Sequence, residues 1–453
     1  MKPECRILSS QFTSLSVITG LHHFPYILSS MKKLILFTLL VLIYGSTFAH
    51  SGKAKYHVIV DTDGTPDDYR TLAIVLSSPV FETIAITCRD DSPQQILKKD
   101  LEAFLSFFHH EGIPVYTYSS GNATKAYRGF LEKEMANEQG IIDIFSCGNN
   151  VIPIDFPDSK KLRISSFYNS LQAVIAGYDG FVHRNIALTG KIFFQPELDK
   201  ENYDSFDNSY LKYAAESFQK DEGGLQSESI ALYWLSPSLF IKKNNILVPN
   251  VAKTDSLSDI LQKALDTDIS SESRVFSGFP LSESMYAGDA AAIMNTAIER
   301  HGVKEFRLGV LTNELHGHLG IYAMVGAKMG LRVRELYDIG VDDIFVQSYA
   351  GNKPPLSCMN DGLQVSTGAT VGHGLFALAD DSLLVPAAVF TFKSRQVTCT
   401  LKPDIAKQIK QDIGNIISEQ GLLTPEYWSA LRALALIYWR DWDRHEMFQI
   451  EQI

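Results

Sequence analysis

Past residue 55 the chain alternates short apolar runs with longer stretches of helical spacing. HVIV, FETIAIT and IPVYTY are brief and rich in β-branched or aromatic residues, the pattern of strands buried on both faces. YRTLAIVLSS and PQQILKKDLEAFLSFFHHEG repeat apolar residues every three or four positions, which predicts helices between those strands. Such alternation implies βαβ units and an α/β domain, a mainly parallel sheet with flanking helices, over residues 56–268. The rhythm lapses in Ser-rich DTDISSESRVFSGFPLSES, which reads as a domain junction. Beyond it, AAAIMNTAIERHG predicts a helix, FRLGVLT a strand, GIYAMVGAKMGLRVRELY a helix of small residues, and DIFVQSYAG another strand. These define a smaller α+β domain at 282–413. The remaining 414–453 read as a helical tail opening at Thr424-Pro425-Glu426. Its apolar positions Trp428, Leu431, Ala435, Trp439 and Trp442 form one stripe, which either packs on its own domain or builds a homodimer.

Composition narrows the range of functions. The 453 residues carry 52 acidic against 41 basic side chains, a net charge of -11, without a Lys/Arg-rich run, so nucleic acid and anionic membrane surfaces are not expected partners. From Met31, MKKLILFTLLVLIYGSTFAHS has the charged, apolar and small-residue parts of a secretory signal. The expected signal peptide is 31–49, with 1–30 a non-native upstream extension and an exported, periplasmic or secreted, mature chain starting at His50. The apolar run falls short of the roughly 20 residues of a membrane span, and no Cys follows the cut for a lipid anchor. The five cysteines lack zinc-finger spacing, and a Cys88–Cys147 disulfide is left open.

Strand HVIV runs straight into Asp61, Asp63, Gly64, Pro66, Asp67 and Asp68. In an open α/β sheet, ligands sit at the carboxyl ends of strands. Carboxylates crowded there repel unless a cation neutralises them, and oxygen-only ligands suit Ca²⁺ or Mg²⁺. The alternative is helix N-capping by Asp67 or Asp68. DTDGTPDD resembles the DTDxGxDD signature of the inosine-uridine-preferring nucleoside hydrolases, and IPVY with GNATKAYRG is similar to that family's next elements. The resemblance implies Ca²⁺ held by Asp63 and Asp68, a water deprotonated by Asp63, and ribose bound by Asp67 and Asp90. The family's base-protonating His falls on Gln226, its last metal-binding Asp on Ser227, and a later Glu and Asn on Ser205 and Asp207. His183 and Tyr233 are candidate replacement acids.

The second half carries its own cluster. His316 and His318 flank Gly317 before the small-residue helix, and two such histidines converge on one metal where the chain is extended. SCMNDGLQVSTGATVGHG adds Cys358, Asp361, Gln364 and His373, with Cys358 at a helix start that favours its thiolate. His316-Gly317-His318-Leu319, then Cys358-x-x-Asp361-x-x-Gln364, then Thr367-Gly368-Ala369-Thr370-Val371-Gly372 together resemble the E-subunit family of formylmethanofuran dehydrogenase. The resemblance implies a transition-metal site, Zn²⁺, on His316, His318 and Cys358, with Asp361 and His373 as further candidates. Many members have Cys where this chain has Gly320.

Two functions follow as expectations. One is an exported metal-dependent hydrolase of N-ribosyl, nucleoside-like small molecules. The alternative is a non-hydrolytic metal- or ligand-binding protein whose working site is the His/Cys zinc site.

Overall fold

The structure is a computed structural model that describes residues 56–91, 98–119, 121–134, 141–147, 162–166, 186–188, 209–220, 227–243, 246–250, 252–253, 257–265, 275–276, 278–380 and 384–453. The expected signal segment, His183, Ser205, Asp207 and Gln226 lie outside the described residues. Gly52–Ile453 form one compact unit.

Its first half is built on an eight-stranded sheet: β1 (Tyr56–Thr62), β2 (Phe81–Arg89), β3 (Val115–Tyr118), β4 (Ile142–Ser146), β5 (Leu162–Ser166), β6 (Ile186–Leu188), β7 (Phe240–Lys243) and β8 (Ile246–Pro249). The order is β3-β2-β1-β4-β5-β6-β8-β7, all neighbours parallel except the β7–β8 pair. The chain winds outward from β1 to β3 and then restarts on β1's other side at β4. That makes the β1/β4 crevice the topological switch point, where doubly wound sheets bind ligands. Val58, Ile59 and Val60 are wholly buried, as an uninterrupted apolar strand requires when both faces are covered.

Helices α1 (Pro66–Ser77), α2 (Lys98–Phe107), α3 (Ala123–Glu134), α4 (Ser209–Lys220), α5 (Glu228–Leu235) and α6 (Leu257–Leu265) accompany this sheet. Arg70 of α1 pairs with Glu228 of α5, both fully buried. Arg70 also reaches Ser217 at 3.2 Å and lies 4.4 Å over the Phe218 ring, both on α4. One guanidinium thus fastens α1 to two other helices and fixes the loop before it. Cys88 and Cys147 stay free thiols. Cys88 is level with Thr62 of β1 on one side, and Cys147 follows Ser146, level with Asp61, on the other. A whole strand between them, two spacings of about 4.8 Å, exceeds disulfide reach.

The second half is α+β, as expected. Its helices are α7 (Gly288–His316), α8 (Ile321–Tyr337), α9 (Met359–Thr367), α10 (Pro403–Gln420), α11 (Pro425–Asp441) and α12 (Arg444–Met447). Strands β9 (Phe345–Ser348), β10 (Phe376–Leu378), β11 (Ala387–Phe392), β12 (Arg395–Leu401) and β13 (Phe448–Gln452) form a sheet in the order β10-β9-β11-β12-β13. FRLGVLT, expected as a strand, lies inside α7, which breaks at Gly302 (φ 87°) and then continues. A Cβ at Gly309 in that run would stand 2.4 Å from the Trp439 ring, so the glycine admits an indole rather than ending a helix. The tail is likewise more than helix. Its last residues form β13 on the edge of β12, and α10 crosses the expected boundary at 413. The aromatic stripe packs on its own domain in part: Trp439 is buried and stacks on Phe306 of α7 at 5.2 Å, whereas Trp428 is 45% exposed.

The two halves meet across a seam of buried charge at the amino ends of β1 and β2. Glu134, fully buried, takes two bonds from Arg395 at 2.7 and 2.8 Å. Glu82 pairs with Lys393 at 3.2 Å, both side chains buried, and at the exposed rim Arg332 pairs with Glu111 at 3.2 Å. The backbone joins in, with Gly112 N–H donating to Leu336 O at 2.9 Å and Thr83 N–H to Asp338 at 2.8 Å. A side chain at Gly112 would collide with Tyr337 at 2.5 Å. Removing one partner of a buried pair strands the other charge, at about 3–5 kcal/mol. Arg395→Met is therefore expected to lower the urea midpoint of the full chain by that equivalent. A midpoint equal to wild type would show that the Glu134 pair does not hold the seam.

Candidate functional site

The loop leaving β1 gathers the carboxylates. Asp61 belongs to the strand, accepting from Thr87 Oγ1 at 2.7 Å and from Tyr118 OH at 2.9 and 3.1 Å. Gly64, at φ 86°, turns the chain, and Thr65 precedes α1 without a side-chain cap bond. Neither Asp67 nor Asp68 caps the helix; both sit inside its first turn, buried. Asp68 turns Oδ2 back to the loop, accepting from Thr62 Oγ1 at 2.8 Å and from Asp63 N–H at 2.9 Å. Its Oδ1 is buried without a hydrogen-bond partner. Burial raises the Asp68 carboxyl well above its usual pKa, and the Asp67 and Asp63 charges add to the rise, outweighing the two bonds it accepts.

Asp67 is held from across the crevice, Oδ2 accepting from Ser227 N–H at 3.1 Å. Ser227 Oγ contacts Thr71 Oγ1 at 2.9 Å. Ser227, expected to replace a metal-binding carboxylate, instead donates its backbone N–H to Asp67. Asp90 follows β2 at the same edge, but its side chain is exposed where Asp63, Asp67 and Asp68 are buried or nearly so. Tyr233 packs edge-on against Trp234 and Phe240. Sequence reading missed Cys147 as a neighbour. It follows β4 at the switch point, and burial, then Asp68, push its thiol up. Asp63, Asp67 and Asp68 bring hard oxygen donors to one strand end, and one buried oxygen is unsatisfied, which is chemistry suited to a hard divalent cation; their ligand atoms do not all lie within 4.8 Å of one another.

In the second half, α7 ends at His316 and Gly317 (φ 79°) closes it, donating to Asn313 O at 2.9 Å. His316 and His318 come together through this tight turn, not through an extended chain, with ring centroids 4.3 Å apart. Asn313, which sequence reading missed, clamps the turn by accepting from Gly320 N–H at 2.9 Å. His316 Nδ1 bonds Asp361 at 2.7 Å, while Nε2 is buried without a partner. A carboxylate on one imidazole nitrogen with the other free is how metal-binding histidines are oriented. A Cβ at Gly320 would stand 2.9 Å from that Nε2, so glycine keeps the approach open. His318 is exposed beside Trp428, and partial desolvation, then His316, lower its pKa.

Cys358 stands apart. It does not join His316 and His318 in a three-ligand group with all ligand atoms within 4.8 Å of one another. Its turn is fixed by α9 packing on α8, where Cβ atoms at Gly326 and Gly362 would meet backbone oxygens at 2.0 Å. Burial, then Asp361, raise the Cys358 thiol, so the helix start does not favour its thiolate. His373 turns away, bonding Gly368 O at 2.9 Å and pairing with Asp342 at 3.2 Å. Gln364 pins the glycine loop through Val371 N–H at 3.2 Å. The two imidazoles and their oriented nitrogen fit a transition metal such as zinc.

Residues 315–422 match the family described as FmdE, Molybdenum formylmethanofuran dehydrogenase operon. A solved structure titled "Plant nucleoside hydrolase - PpNRh1 enzyme" is 15% identical, covering 47% of this chain and 99% of its own length at a TM-score of 0.35. No match to a curated protein was found. The C-terminal half thus contains an FmdE-like domain, and a nucleoside hydrolase is among the chain's structural neighbours. Among the described residues no helix is long and apolar enough to cross a membrane.

The raised Asp68 pKa has a signed consequence. A carboxyl whose folded pKa exceeds its unfolded value holds its proton more tightly when folded, so it costs stability as pH rises from the unfolded value through the folded one. In chelator, the melting temperature of the wild-type chain is expected to fall relative to Asp68→Asn as pH rises above about 4. Parallel pH profiles for the two chains would mean that Asp68 is not strained by its neighbours.

Proposed function

We propose that the chain is a metal-dependent hydrolase of N-ribosyl, nucleoside-like bonds, working at the carboxylate loop in the β1/β4 crevice. The observation that carries this reading is the buried, unsatisfied Oδ1 of Asp68 beside Asp63 and Asp67 at the sheet's switch point. Asp63 and Asp68 would hold Ca²⁺, which supplies charge to acidify and orient a water. Asp63 then takes that water's proton. Asp67, steadied by Ser227 N–H through one oxygen, offers the other to a sugar hydroxyl, and its charge stabilises the cationic sugar as the base departs. The signal-like segment from Met31 supports action outside the cytoplasm.

Departure of the base also requires a proton donor, and Gln226 cannot supply one. General acid help is worth about 10²–10⁴ in rate. With excess Ca²⁺, a nitrophenyl riboside, whose leaving group requires no proton, is expected to be cleaved at least ~100-fold faster than inosine or uridine. Asp63→Ala is expected to abolish the reaction. Brisk inosine cleavage would show that another acid serves, and no cleavage of any of the three would remove the hydrolase reading.

A second reading has its own observation, the partnerless His316 Nε2 within the family-matched segment. There the working site is a zinc ion on His316 and His318, with Asp361 setting the imidazole and Cys358 recruited only once deprotonated.

A further inference from the structure

At the opposite end of the first sheet from the carboxylate loop, three side chains from separate segments converge. His57 is near the start of β1 and Glu82 near the start of β2, and the register sets them level with each other. Neighbours at one level of a sheet face the same side. Asp343 enters from the turn before β9, in the other half of the chain. One ligand atom from each, an imidazole nitrogen and two carboxylate oxygens, all lie within 4.8 Å of one another. Glu82 is buried, while His57 and Asp343 are partly exposed, so the cluster is deep yet reachable. The β1–β2 register shifts just beyond this pair, between Val58 and Ile59. Irregularities of this kind re-aim side chains at a sheet's rim.

We propose that His57, Glu82 and Asp343 form a Zn²⁺ site that bridges the two halves of the chain. One imidazole and two carboxylates are a three-ligand set that leaves a fourth position to water. The imidazole turns the preference from Ca²⁺ and Mg²⁺ toward zinc. Glu82 already serves Lys393 at 3.2 Å and Gly340 N–H at 3.3 Å. A carboxylate has about four lone-pair sites, so acceptor capacity remains for an ion. Lys393 offsets one of the two acidic charges, which makes the site moderate in affinity. His57 and Asp343 engage other groups when no ion is bound, so zinc entry exchanges those interactions and releases protons. The bound ion would tie the amino ends of β1 and β2 to the loop after α8, reinforcing the seam held by Glu134–Arg395 and Glu82–Lys393. This site is independent of both metal sites discussed under function.

The test uses the full chain, stripped with chelator, with Ca²⁺ in excess so that the carboxylate loop is saturated. Zinc is titrated calorimetrically and counted by elemental analysis in wild type, His57→Gln, Asp343→Asn and His316→Ala. His57→Gln and Asp343→Asn are each expected to lose one zinc equivalent, or ~100-fold in its affinity, together with the zinc-dependent rise in melting temperature. His316→Ala is expected to keep both. Unchanged zinc equivalents and melting shift in the two seam variants, with native circular dichroism, would overturn the proposal. Cobalt makes the test independent of how those variants fold. In the His316→Ala chain it is expected to give d–d absorption without thiolate charge transfer, and failure of that chain to take up one equivalent of cobalt at saturating concentration would equally overturn it.

Discussion

Like charges held at fixed positions in a buried turn set the terms for the first half of this molecule. Asp63, Asp67 and Asp68 are carried by one tight loop and the first turn of α1, where water cannot screen them. Asp68 is raised by burial and by both neighbours, and one of its oxygens finds no donor. Such an arrangement costs stability unless a proton or a cation offsets it, and the surrounding structure is organised to keep it in place. Arg70 and Glu228 pin α1 to α5, Thr62 and the Asp63 N–H orient Asp68, and Ser227 N–H orients Asp67.

The placement of the second half follows a complementary logic. It docks on the amino ends of β1 and β2 and leaves the carboxyl ends, where the loop lies, unobstructed by the seam. The docking is ionic and backbone-mediated rather than apolar, with each buried acid matched by a cation from the other half. Desolvating these charges repays little net stability, but mispairing them is costly, so the pairs specify one relative placement. Deeper in the second half, Arg444 answers Glu305 at 3.1 Å and Glu335 at 2.6 Å. Glu335 in turn binds His445 at 2.9 Å, and His445 stacks on His109 of the first half at 3.7 Å.

Much of this was legible in the chain. Buried parallel strands announce themselves as short apolar runs, and the DTDGTPDD loop already shows in the sequence the acids that the fold buries where a strand ends. The FmdE-like segment is marked by local motifs that survive as sequence. What escaped depends on residues distant in the chain. FRLGVLT looks like a strand until Trp439, far along the sequence, claims the space above Gly309. A Cys88–Cys147 disulfide stays open until the register puts β1 between the two thiols. Asn313 reads as an ordinary helical polar residue, yet it closes the His-Gly-His turn. Cys358 stands at a helix start, but burial and Asp361 outweigh that influence on its thiol. The seam was invisible because its acids and bases come from opposite halves of the chain.

The central claim is that the crowded carboxylates form a cation site, and calcium-dependent stability addresses it most directly. Melting of chelator-stripped wild type and Asp68→Asn should be followed at neutral pH as Ca²⁺ is added. The account predicts that stripped Asp68→Asn melts higher than stripped wild type, because a repelling buried charge is gone. It also predicts that Ca²⁺ raises the wild-type melting temperature while leaving the variant nearly unmoved. A stripped wild type at least as stable as the variant, together with no response to Ca²⁺ in either chain, would contradict it.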